Sequence, residues 1–194
     1  LSEIPLPKRV LMVTPTYFDI DMPINPHMQR QDGSLQIIDK NRAEQQWREL
    51  KKIYENLKFN VSAIDGMKDL PDMVFCANQS FPFLDERGKF HAVLSNMFDD
   101  RRHLEVKRIV SFLISHHYTT HSLGNRQEGY FFESMGDALW LSGRRFILGG
   151  YGFRTHRRVY ENLSQITKAP IALFELKNPK FYHLDTCLSI LDSR

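Results

Sequence analysis

"DALWLSGRRFILGG", residues 137–150, contains two apolar runs of strand length, 137–142 and 145–150, parted by a glycine and opened by an aspartate. Downstream of the second run, Val159, Leu163 and Ile166 lie on one face of a helix expected over about 156–166, and "IALFEL" (171–176) and "LDTCLSI" (184–190) read as further strands. Upstream, "FHAVLS" (90–95), a helix over about 102–115 and "YTTHSL" (118–123) lead into the first run. A third set comes before these. It consists of "RVLMV" (9–13), a helix marked by Ala43, Trp47, Leu50, Tyr54 and Leu57, then "NVSAI" (60–64) and "DMVFCAN" (72–78). The order strand, helix, strand, strand thus occurs three times. Each copy closes on an aspartate before an apolar strand: Asp72, Asp137 and Asp185. A unit that cannot cover its own apolar faces stacks on its copies, as a solenoid or a ring. The pattern leaves both open, together with an ordinary mixed α/β sheet.

Composition narrows the class. The 194 residues, 42% apolar and 25% charged, suit one folded domain over 1–194 rather than a disordered chain. The net charge of +3 is spread over short pairs such as Arg101-Arg102 and Arg157-Arg158, so no nucleic acid is expected as partner. Two cysteines make no disulfide framework, and no signal peptide or membrane span is legible, so the expected location is the cytoplasm.

The chemistry-bearing residues gather at the strand ends. In "FYHLDTC", alternation places His183, Asp185 and Cys187 on one strand face. A rise of ~3.3 Å per residue puts His183 and Cys187 roughly 13 Å apart, too far for a thiolate and its base, so Cys187 reads as core. "FFESMGDALW" brings Glu133 and Asp137 to one strand end, with Gly136 permitting close approach, and paired carboxylates there suit either a guanidinium or a solvated loop. "GGYGFRTHRR" lacks the spacing of a phosphate loop, although Arg154 has the planar fork that binds carboxylates. His116, His117 and His121 join no ligand pattern, and no metal is expected.

Together, "PTYFDIDMPINPHM", "LPDMVFCANQ", "FESMGDAL", "GGYGFRT" and "FYHLDTC" resemble, in order and over nearly the whole chain, the guanidino-modifying enzymes of the pentein superfamily. These include dimethylarginine dimethylaminohydrolases, arginine deiminases, arginine dihydrolases and amidinotransferases. The resemblance implies an α/β fold, a five-bladed propeller of which about three blades are present. It implies a small guanidino substrate, arginine or a modified arginine, attacked by a cysteine thiolate, and no cofactor. By motif, His183 becomes the acid and base with Glu133 as its carboxylate partner. Asp137 and Asp185 become strand-end groups that bind and orient, Asn25 and Asn78 substrate contacts, and Arg154 the grip on a substrate carboxylate. Asn78 favours the dihydrolase branch over plain deiminases. Two departures stand out: Asn96 where an arginine is common, and Ser134 where a glycine is common.

The superfamily's nucleophile lies well beyond the His-Leu-Asp motif, so it is expected past Arg194 and the partial chain is expected to be inactive alone. Unpaired strand edges in an open ring invite a homo-oligomer or association with the missing C-terminal segment. Amidinotransfer, with an amine in place of water, is the alternative within enzymes, and a noncatalytic pentein-fold binding protein the alternative outside them. His183→Ala is expected to abolish turnover and leave the fold largely intact.

Overall fold

The computed structural model describes residues 1–192, which cluster into two compact units, 7–76 and the remainder. In the unit 7–76, β1 (Arg9–Val13) and β2 (Asn60–Ile64) pair in parallel, Arg9 opposite Asn60 and Val13 opposite Ile64. Parallel neighbours need a long crossover. Here it contains α1 (Lys40–Asn56), which starts where the Asp39 carboxylate accepts the Arg42 N–H at 3.0 Å. Ion pairs one turn apart, Glu44 with Arg48 and Lys51 with Glu55, line its solvent face.

The other unit holds two sheets of identical construction. The first contains β3 (Ser80–Leu84), β4 (Phe90–Leu94) and β5 (Thr119–His121), with α2 (Asp100–Ser115) between β4 and β5. The second contains β6 (Ala138–Trp140), β7 (Ile147–Tyr151) and β8 (Ile171–Glu175), with α3 (Val159–Thr167) between β7 and β8. In each, the first two strands are antiparallel and the last two parallel. A single core joins them: Phe81 stacks on Trp140 at 5.2 Å between ring centroids and meets Phe132 edge-on, while Val93, Ile147, Val159 and Leu163 fill in around them. Each such buried side chain contributes about 1.5–3 kcal/mol of transfer free energy.

The expected cyclic order is present, but the sheets take it up in a different phase. The stretch 137–150 does not end one unit and begin the next; it is the β6–β7 hairpin of a single sheet, with Leu139 opposite Leu148. Each sheet therefore runs strand, strand, helix, strand. Two expected strands are replaced by turns. Residues 72–78 begin with a one-turn 3-10 helix, Pro71–Val74, because Pro71 has no N–H and suits the first helical position. The strand follows at Ser80, in a segment where the sequence reading has no element. Its Pro82 argues against a central strand, and β3 is indeed an edge strand. Residues 184–190 likewise open with a 3-10 turn, Leu184–Thr186, in which the Thr186 hydroxyl donates to the His183 carbonyl at 2.6 Å. The alternation expected for "FYHLDTC" is lost there. His183 is buried, Asp185 is exposed, and Cys187, expected in the core, is exposed as well.

Candidate active site

The turns that replace the expected strands carry the polar residues inward. Glu133 precedes and Asp137 follows the 3-10 turn Ser134–Gly136, and His183 precedes the turn Leu184–Thr186. Glu133 is 0% exposed, Asp137 1% and His183 4%. The imidazole bridges the two carboxylates: Nδ1 lies 3.0 Å from Asp137 Oδ2, and Nε2 lies 3.1 Å from Glu133 Oε2. Asp137 Oδ1 accepts the Leu184 N–H at 3.1 Å, so one carboxylate holds both the ring and the backbone that bears it. Its own backbone is fixed by β7, since Asp137 O accepts the Gly150 N–H at 2.7 Å and the Tyr160 hydroxyl at 2.9 Å.

Glu133 is held as firmly. Its Oε1 accepts the Phe98 N–H at 3.0 Å, Arg154 Nη1 lies 3.4 Å from both carboxylate oxygens, and its own N–H donates to Thr155 Oγ1 at 3.0 Å. The guanidinium of Arg154 also faces the Tyr182 ring at 5.1 Å. The Asn78 amide completes the cluster, with Nδ2 3.5 Å from Glu133 O and from His183 Nε2. Only a glycine fits beneath it at position 136, because a Cβ there would lie 2.4 Å from Asn78 Nδ2 and 3.0 Å from His183 Nδ1.

Burial alone would push the His183 imidazole down, but the hydrogen bonds and charges of Asp137 and Glu133 outweigh it and raise its pKa to about 9. Burial likewise pushes the Glu133 carboxyl up, yet the hydrogen bond and charge of His183, with Arg154 and Arg102 behind, hold it at about 2. These are two views of one ion pair. A raised imidazole stabilises the fold fully below its unfolded value of 6.5, and this contribution is lost as pH climbs through about 9. A depressed carboxyl stabilises it above its unfolded value of 4.5, and this is lost as pH falls through about 2. Urea midpoints should therefore be level between pH 4.5 and 6.5 and fall on either side. A His183→Gln protein should lose the alkaline slope, and an unchanged slope in that variant would show that another group causes it.

Of the expected site residues, Asn78, Glu133, Asp137, Arg154 and His183 come together in this buried network. Asp185 is next to it in sequence, but its side chain is exposed. Asn25 belongs to the 7–76 unit, where its Oδ1 accepts the His27 N–H at 2.9 Å and caps a 3-10 turn. Asn96 directs its amide to the Gly124 and Tyr130 carbonyls, each at 2.9 Å. Sequence reasoning missed Thr155, which follows Arg154 directly. It also missed the buried pair of Arg102 and Glu105, which looks like ordinary surface charge one helical turn apart.

The fold around this network has close counterparts. The N-terminal domain of ArgZ, a cyanobacterial arginine dihydrolase solved as a mutant bound to substrate, superposes with a TM-score of 0.82 at 29% identity, over 92% of this chain and 62% of that one. The chain is a pentein-fold relative of the guanidino-modifying enzymes. In sequence, this pentein chain is 32% identical over 188 residues to N(G),N(G)-dimethylarginine dimethylaminohydrolase of Mycobacterium tuberculosis, covering 97% of this chain and 57% of that protein. It is 30% identical over 181 residues to the bifunctional arginine dihydrolase/ornithine cyclodeaminase ArgZ of Synechocystis sp., covering 92% of this chain and 24% of that protein. The pentein chain thus spans little more than half of the first of these relatives and about a quarter of the second. No protein-family model matches it.

Proposed function

We infer that this chain carries the acid–base part of a hydrolase that cleaves C–N bonds of a guanidino compound, arginine or a modified arginine. The observation that carries the reading is the buried line Glu133–His183–Asp137, an imidazolium between two carboxylates at 3.1 and 3.0 Å. Relatives named for dimethylarginine and arginine hydrolysis support it, and a structure of the ArgZ N-terminal domain holds a covalently bound reaction intermediate. In the proposed reaction a thiolate adds to the guanidinium carbon. The proton on His183 Nε2 passes to the departing amine as its C–N bond breaks, and the same nitrogen then takes a proton from the water that displaces the thiolate. Asp137 keeps Nδ1 protonated and the ring in place. Glu133 holds the charge that makes the imidazole a proton carrier, and His183, with Arg154 behind it, keeps Glu133 anionic. Asn78 is proposed as a guanidinium contact, and Asn25 and Asp185 as further substrate contacts.

Neither cysteine suits the role of nucleophile. Cys187 is exposed, its Sγ 3.4 Å from the Leu184 carbonyl, and the Cys76 thiol donates to the Leu11 carbonyl at 3.2 Å within the 7–76 unit. We therefore place the nucleophile outside these 194 residues and take the chain as an incomplete piece of one propeller domain. A cytoplasmic location, suggested by two free cysteines, and association with the remaining segment or with further copies belong to the same reading.

The test is to express the complete reading frame and supply arginine and, separately, dimethylarginine. Ornithine with ammonia marks a dihydrolase, and citrulline with dimethylamine marks a dimethylargininase. His183→Gln should abolish either activity, whereas Cys187→Ser should retain it. Absence of all these products would overturn the reading.

A further inference from the structure

Ser134 stands at φ 44°, in the left-handed region where a residue with a Cβ is strained. It is fully buried, and its hydroxyl meets that of Ser95, itself buried just past the end of β4. Ser95 Oγ lies 2.5 Å from the Asn78 carbonyl oxygen. Counting protons fixes the direction of these bonds. A carbonyl only accepts, so the single Ser95 proton goes to Asn78 O, and the Ser134 hydroxyl must donate to Ser95 Oγ. One hydrogen-bonded chain, Ser134 to Ser95 to Asn78, therefore ties the turn that carries Glu133 and Asp137 to the entry of β3.

We propose that Ser95 is a positioning residue, which keeps the two carboxylates at the two ends of the His183 ring by holding Ser134 in its strained conformation. Glu133 immediately precedes Ser134, and Asp137 follows three residues later. The spacing of the two carboxylates therefore depends on the Ser134 backbone. Removing the Ser95 hydroxyl orphans the buried Ser134 donor and the Asn78 carbonyl together, and gives Ser134 reason to leave the left-handed region. Glycine adopts that region without strain and has no hydroxyl to orphan. A glycine at 134 thus needs no Ser95, and a serine at 134 does. The catalytic meaning of this device rests on the hydrolase reading; its effect on the His183 proton does not.

The experiment follows the His183 ring by NMR titration of the 194-residue chain, with the signal assigned by its absence in His183→Gln. From a parent midpoint of about 9, Ser95→Ala should lower it by about one unit, because each lengthened ion pair returns the ring toward 6.5. Ser134→Gly alone should leave it within about 0.3 units, and the Ser95→Ala/Ser134→Gly double variant should restore it to within about 0.5. Should Ser95→Ala fail to fold, Ser95→Cys, a weaker donor of similar shape, should give an intermediate fall. A Ser95→Ala or Ser95→Cys protein that melts earlier but titrates like the parent would overturn the proposal. So would a double variant that titrates like Ser95→Ala. Loss of the hydrolase reading, seen as absent turnover of guanidino compounds by the complete protein, would leave these titrations unchanged and so is told apart from failure of the positioning role.

Discussion

His183→Ala should destabilise the chain by about 3–5 kcal/mol, the cost of removing one partner from a buried ion pair. Among the described residues, Asp137 would keep the Leu184 N–H on its side chain, and Glu133 would keep Phe98 N–H and Arg154 but lose the contact at 3.1 Å. Each carboxylate would then sit in a dry interior with less positive charge, and Glu133, whose carboxyl is held down chiefly by His183, should take up a proton more readily. The sequence gives the opposite expectation, a fold left largely intact, because a strand pattern does not show that both ring nitrogens are engaged. Urea denaturation near pH 6 decides between the two. A loss below about 1 kcal/mol would mean that water reaches the pair and screens it. His183→Gln should lose less, since its amide still donates a hydrogen bond.

Gly136→Ala should be the most damaging single-methyl change in the site. The new Cβ would meet Asn78 Nδ2 at 2.4 Å and the His183 ring at 3.0 and 3.2 Å. Neither neighbour is the loose end of an exposed side chain, since both are buried and the ring is pinned at each nitrogen. Overpacking of this kind costs about 1–3 kcal/mol. It should also drive the ring off Asp137, with the imidazole sliding down from about 9 toward its ordinary 6.5. Gly88→Ala is the control: nothing lies within 4 Å of a Cβ there, and its φ of 75° adds only backbone strain. Its melting temperature should fall modestly while the His183 titration stays as in the parent. If Gly136→Ala matches Gly88→Ala in both measurements, the close approach is not what Gly136 provides.

Both expectations arise from one feature, a histidine placed between two carboxylates by two one-turn helices. Much of that was legible early. The motif carrying Glu133, Gly136 and Asp137 and the motif carrying His183 are contiguous stretches, and the family resemblance they carry already implies a guanidinium site. Their meeting was legible only through the family resemblance, which pairs His183 with Glu133; the residue pattern alone cannot show it, because 46 residues separate Asp137 from His183 and folding closes that gap. The value of Ser95 was equally hidden. A serine after an apolar strand is unremarkable until Ser134 is found in a conformation that a glycine would take freely.

The sequence by itself determined the local elements whose cause is local. The runs 9–13 and 60–64 become β1 and β2 as read, and the spacing of apolar residues marks α1, α2 and α3. Side-chain period, caps and proline act over a few residues, so they leave a signal of the same length. Tertiary structure decided which strands share a sheet, and with it the repeat phase, since 137–150 reads equally well as a junction or a hairpin until β6 pairs with β7. It also decided that 72–78 and 184–190 begin as turns and that Cys187 faces outward. An apolar run fixes only that a segment can be buried; what buries it, and whether its polar members meet a partner across the sheet, depends on residues far away in the chain.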